Sequence, residues 1–308
     1  MRLWVLLSVT AIAFSVASSV VFASDELTLH FIPSPEGINW SRPKTLADTT
    51  LLNQVAKVNG GGRAAIGHVY VEMKCGENHF FTGATDIGYN QELKALFIDG
   101  YGLGVILKNY HGILNDSDKA EKDLAAMHVT GRSNFLRFLI SAPTCARLLG
   151  YLEEYKLRGY DKIYGGLNAR PRRGEGAGCS AFGASFLGLA GVLSPELEES
   201  FTRTLILPRR LVGGELTRTR VSFFKILLDE EAEWDKDLSQ GGFLVHFYDP
   251  ERMFDWVVHA AESMQTGSDR RFPWPGWVSF LGQSKGVTFD ATQVLTPTDP
   301  IFSVPAPF

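Results

Sequence analysis

The first apolar block of the chain is unbroken: from Leu3 to Ala23 no side chain is charged. Beyond it the apolar positions fall into short periodic segments. Leu27 to Ile32 alternates weakly and predicts a strand, and Pro33 to Gly37 predicts a turn. Thr49 to Val58 predicts a short helix, stopped by Asn59-Gly60-Gly61-Gly62. Ala65 to Cys75 predicts a strand with Val69, Val71 and Met73 on the core face and His68, Tyr70 and Glu72 on the other. A turn at Gly76-Glu77-Asn78 and the segment His79 to Gly83 complete an antiparallel hairpin, which could bring His79 near His68.

Leu96 to Asp99 and Leu103 to Leu107 predict further strands, Asp118 to Met127 a helix, and Asn134 to Ile140 a strand. The spacing of Leu148, Leu149 and Leu152 predicts a helix over Cys145–Leu157, ended by Gly159. A second, almost wholly apolar helix runs from Ala181 to Val192. Gly183, Gly188 and Gly191 cost it helix propensity and point to close packing. Strands are expected at Leu205–Leu207, Arg218–Leu228 and Phe243–Tyr248, and helices at Pro195–Phe201 and Pro250–Glu262. Pro273 to Trp277 reads as a rigid aromatic loop, and the Pro-rich tail from Val287 to Phe308 as a surface wrap. There is no internal repeat, so residues 24–308 are read as one α+β domain.

Composition is that of a globular protein, with 45% hydrophobic and 21% charged residues. Met1-Arg2, the apolar run and Val21-Phe22-Ala23 describe a secretory signal peptide over residues 1–23, so the expected product is exported, periplasmic or secreted. Without that segment the chain carries 29 basic and 34 acidic side chains, which argues against a nucleic-acid partner. In an oxidising compartment two of the three cysteines can pair. A Cys75–Cys145 disulfide would leave Cys179 free.

The chemistry concentrates around Cys179. It stands where a Gly/Arg-rich loop, Asn168 to Gly178, enters the apolar helix. A helix start offers unpaired N–H groups and a positive dipole end, both of which favour a thiolate. A cysteine nucleophile also needs a base and a group that orients the base. His68 is the candidate base and His79 the candidate orienter, with Glu72 competing for that role. Tyr70 and Glu72, beside His68, and Arg170, Arg172 and Arg173 are the candidate substrate contacts. His111 is read as a loop residue and His128 as a surface residue. His246 and His259 flank Asp249 and Glu251, but their spacing matches no zinc pattern. No phosphate loop and no serine elbow is present, so no metal and no cofactor is expected.

The order of these features, Gly67-His68 opening a hairpin, His79 eleven residues on, and a late Cys179-Ser180 opening an apolar helix, resembles the permuted papain-like cysteine hydrolases. That superfamily includes permuted NlpC-like peptidoglycan hydrolases and lecithin:retinol acyltransferase-like enzymes. Residues 143–160 resemble the helix these families place before the cysteine loop, and Thr296-Pro297-Thr298-Asp299 resembles a segment near their C-terminus. The resemblance implies a circularly permuted papain-like fold, with an antiparallel sheet packed on the Cys179 helix. It implies Cys179 as nucleophile, His68 as base and a polar third residue at or near His79. It covers mainly residues 64–190 and the tail. The basic loop Arg170–Gly178 departs from the family, and residues 193–285 have no counterpart and are expected to form an insertion.

The leading expectation is a monomeric, exported thiol amide hydrolase acting on cell-wall peptide, with the arginines receiving a substrate carboxylate. Peripheral contact with a membrane is compatible with it. The alternatives are a lipid acyl hydrolase or acyltransferase with the same triad, its acyl site built from residues 223–256 and the Trp274–Trp277 loop, and a binding module with an occluded Cys179.

Overall fold

The computed structural model describes residues 24–60, 66–87, 90–267 and 272–303; the expected signal peptide lies outside the described residues. The strands are β1 (Asp25–Ile32), β2 (His68–Cys75), β3 (Asn78–Thr82), β4 (Ala84–Asp86), β5 (Tyr110–Leu114), β6 (Asn134–Ile140), β7 (Ile163–Tyr164), β8 (Thr202–Leu207), β9 (Phe243–Tyr248), β10 (Gly276–Leu281) and β11 (Ser284–Asp290). The α-helices are α1 (Pro43–Gly60), α2 (Asn90–Leu93), α3 (Asp118–Val129), α4 (Ala142–Leu157), α5 (Cys179–Leu189), α6 (Pro195–Phe201), α7 (Phe223–Leu228) and α8 (Pro250–Thr266).

A six-stranded sheet in the order β10-β11-β6-β1-β2-β3 organises the chain. All neighbouring strands in it are antiparallel except β6 and β11, so the sheet is mixed rather than antiparallel as expected. Alternation sorts its two faces. Leu27, Leu29 and Phe31 of β1 and Val69, Val71 and Met73 of β2 share a fully buried core with α4, α5 and α8. On the other face α3 packs Ala120 and Leu124 against Ile32 and Phe81. The fold is therefore α+β.

The first described strand, β1, lies between β2 and β6 in this sheet. The expected insertion is divided. Segments β8, α7 and β9 build a second core with Leu46, Ala47 and Leu103, while α8, β10 and β11 belong to the main sheet and its core. The tail strand β11 escaped notice because Gly286 interrupts its alternation. The glycine is required there, since a Cβ would collide with the Phe135 ring. Residues 94–98 form a π-helical turn and 103–107 a 3-10 turn where strands were expected, and 223–228 is helical. These runs are too short for periodicity to separate helix from strand.

Two staples fix the main layer. Cys75 at the end of β2 is disulfide-bonded to Cys145 on α4, with Cα atoms 5.9 Å apart, and Cys179 is free. Gly183 lets α5 lie directly on β2: a Cβ there would stand 2.8 Å from Val69 Cγ1. No helix among the described residues is long and apolar enough to cross a membrane.

Candidate active site around Cys179

The start of α5 is left open. Its N-cap is Gly178, which has no side chain to satisfy the first amides, and the first intrahelical bond to the cap runs from Phe182 N–H to Gly178 O at 2.9 Å. The sulfur of Cys179 takes up this unused capacity, meeting the amides of Ser180 and of Cys179 itself. It also meets the amide of Val69, the residue after His68, and the hydroxyl of Tyr164. Burial pushes the thiol above its ordinary range, and these four donors oppose that rise by favouring the thiolate. The resting group is a thiol, because burial outweighs these donors.

Tyr164 reaches the sulfur because the loop before α5 lies close against β7. Ala177 N–H bonds to Ile163 O at 3.2 Å, and Gly176 has φ +76°. A Cβ at Gly176 would run into the Ile163 carbonyl, so only glycine permits this approach. Burial raises the Tyr164 phenol well above its ordinary range, and the charges of Cys179, Glu92 and Asp86 add to it. It is a durable proton donor.

His68 opens β2 and is buried. Its ring stands edge-on to Tyr70, with centroids 4.4 Å apart. Gly83 makes room for both rings, since a Cβ there would lie 3.2 Å from His68 Nε2 and 2.7 Å from Tyr70 Cδ1. The Tyr70 phenol is pushed up by burial, then by the charges of Cys179 and Asp123, against a hydrogen bond from Asn115. Cys179, Tyr164, Tyr70 and the backbone beside His68 thus gather at one end of β2.

His79 does not join them. The tight turn pairs His79 with Lys74, six residues along β2 from His68, or roughly 20 Å at strand rise. His79 Nε2 instead bonds Glu72 Oε1 at 3.0 Å. Glu72 has its own assignment as well. Its Oε2 meets His30 Nε2 at 2.9 Å, His30 Nδ1 meets His128 Nε2 at 3.0 Å, and His128 Nδ1 meets Ser133 Oγ at 2.9 Å. Burial alone would raise the Glu72 carboxyl, but His30 holds it well below the usual range. His128, read as a surface residue, is buried in this network. His111, read as a loop residue, pairs with Ile163 in β5.

The arginines are also spoken for. Arg170 is bound to Glu175 through its backbone N–H at 2.9 Å and its Nη2 at 2.6 Å. Arg172 pairs with Asp299 and donates to Ile301 O at 3.0 Å, and Arg173 is exposed. None of the three lines the cavity described next. Asp299 belongs to the Thr-Pro-Thr-Asp segment, so that segment clasps the loop leading to Cys179.

A cavity of about 460 Å³ opens beside the sulfur. Cys179, Ser180 and Tyr164 lie in its wall with Trp40, Phe223 and Phe247, and the greater part of the wall is apolar. Of the acyl site expected from residues 223–256 and the tryptophan loop, Phe223, Ile226 and Phe247 are present in it. Trp274 packs instead on Phe138 and Phe289 in the main core, at 5.3 and 5.7 Å.

Sequence reasoning missed Tyr164 and the cavity wall supplied by α1. The signal for Tyr164 was the Tyr164-Gly165-Gly166 run just upstream of the arginine loop, where small residues allow close backbone approach. Among the described residues no group of three or more His, Cys, Asp or Glu side chains could hold a metal ion. In comparison with known proteins, the chain matches no family model, no curated protein and no solved structure.

Proposed function

We propose that the protein is an exported cysteine-dependent acyl-transfer enzyme whose acyl group is a long apolar chain. The observation that carries the reading is that Cys179, at the open start of α5, lies in the wall of a mostly apolar cavity. The size of the cavity and its mostly apolar wall suit an acyl chain.

In this mechanism His68 takes the thiol proton, and the thiolate attacks the acyl carbonyl. The Cys179 and Ser180 amides at the mouth of α5 receive the oxyanion, where one donor is worth about 3 kcal/mol. The bond to the leaving group breaks, and His68 returns the proton to it. Water or another acceptor then releases the acyl group from sulfur. Tyr164 orients the sulfur and supports its negative charge.

The assignment of His68 as base follows the sequence resemblance to permuted papain-like enzymes, and the third residue expected at His79 is away from the site. A cell-wall peptide suits the site less well. Its amides and carboxylates would meet few polar partners in the cavity, and Arg170 and Arg172 are already paired.

The test is to incubate the protein with vesicles of a palmitoyl phospholipid and map acylation by mass spectrometry. A hydroxylamine-labile acyl mass on the Cys179 peptide, absent from Cys179→Ala, is expected. No such adduct, together with Cys179-dependent release of peptides from purified walls, would replace this reading with the amide hydrolase.

A further inference from the structure

We propose that the exposed apolar rim of the cavity is a surface that docks on a phospholipid bilayer, so that an acyl chain passes into the cavity without crossing water. The inference rests on the acyl reading above. Leu51 and Val55 of α1 and Phe97 of the π-helical turn line the cavity and are also exposed to solvent. The apolar surface continues outward from them. Ile98 is 63%, Phe224 60% and Leu228 79% exposed.

These side chains form one patch. The Phe97 ring lies 6.3 Å from that of Phe224, and α7 packs along α1. Large exposed apolar patches on monomers mark contact surfaces. Two features identify what covers this one. The rim is continuous with the cavity wall, so its occupant faces the opening and supplies what enters. The corner around Phe97, Ile98 and Phe224 is also cationic, although the chain as a whole has a net charge of −4. Lys94, Arg220 and Lys225 are exposed there. Arg220 bonds to the Ile98 carbonyl, and the nearby carboxylates are already paired, Asp99 with Lys94 at 3.4 Å and Asp229 with Arg210 at 2.8 Å. Apolar side chains ringed by cations match the acyl boundary and anionic headgroups of a bilayer surface.

The test is flotation of the full chain with phosphatidylcholine vesicles containing phosphatidylglycerol, beside the variant Ile98→Glu/Phe224→Glu. Neither residue lines the cavity. Wild type is expected to float with the vesicles and the variant to lose binding about tenfold or more. Cys179-dependent hydrolysis of a water-soluble short-chain thioester should persist in the variant. Equal flotation of the two proteins, or none by wild type, would overturn the proposal. So would a wild-type dimer that the variant lacks, which would assign the patch to a second copy of the chain. Loss of thioester hydrolysis in wild type counts against the enzymatic reading and leaves the flotation result to be judged separately.

Discussion

The hydroxyl of Tyr164 favours the thiolate of Cys179, linking the short strand β7 to the first residue of α5. The donor is held protonated by burial, so it serves the sulfur most when the sulfur is charged. Tyr164→Phe should therefore raise the Cys179 pKa. A hydrogen bond to a charged group contributes about 1.5–3 kcal/mol. The rate of iodoacetamide alkylation should shift to higher pH, and turnover of a thioester should fall about tenfold or more, mainly in kcat. An unchanged alkylation profile would show that the phenol does not support the thiolate.

Cys179 is itself held above its usual range, because burial outweighs the donors around it. At neutral pH the protein should alkylate slowly, with the rate rising toward alkaline pH. A long-chain fatty acid filling the cavity should protect the thiol further. Rapid labelling at pH 7, insensitive to fatty acid, would contradict the placement of the sulfur in the cavity wall.

Gly183 should not tolerate a side chain. Its missing Cβ would stand 2.8 Å from Val69 Cγ1, within the contact that seats α5 on β2. Gly183→Ala should cost about 1–3 kcal/mol of stability by overpacking and should lower activity by moving Cys179. Val69→Ala in the same chain should recover part of both losses. Denaturant melts of the two single variants and the double variant measure the coupling.

The Glu72–His30–His128–Ser133 network makes stability depend on pH. His128 is pushed down to about 4 by burial, then by the charges of His30 and Arg137, with Glu72 opposing. Its folded pKa lies below the unfolded value of about 6.5, so the unfolded chain binds the proton first. Stability is complete above that value and is lost as pH falls toward 4, by about 3 kcal/mol in total. His128→Gln should flatten this part of the stability profile. A wild-type Tm constant between pH 7 and 4 would contradict the assignment.

The Cys75–Cys145 disulfide closes a separation of 70 residues. The chain-entropy relation gives such a loop about 4 kcal/mol of stabilisation. Cys75→Ser/Cys145→Ser should unfold at a correspondingly lower denaturant midpoint, with Cys179 alkylation after refolding reporting whether the site still forms.

Much of the fold was legible where periodicity ran for several turns or a full strand. Leu27–Ile32, His68–Cys75, Asn134–Ile140 and the two helices flanking the arginine loop are all present. Local pattern could not show that β1 lies inside the sheet or that β11 returns from the tail to pair with β6, because both facts depend on long-range pairing. At the site, Cys179 at a helix start was readable from the glycine-to-apolar transition. His79 was misplaced because the hairpin register, not proximity in sequence, decides what faces His68. The α1 wall carries no local signature and Tyr164 only the two glycines after it, since their roles come from what the fold sets against them.

The clasp between Arg172 and Asp299 has a consequence for biosynthesis. Cys179 sits near the middle of the chain, but the loop leading to it is tied down by residues that leave the ribosome more than a hundred positions later. The sheet, too, is complete only once β11 has been translated. A nascent polypeptide thus carries Cys179 before it carries the residues that tie down the loop in front of it.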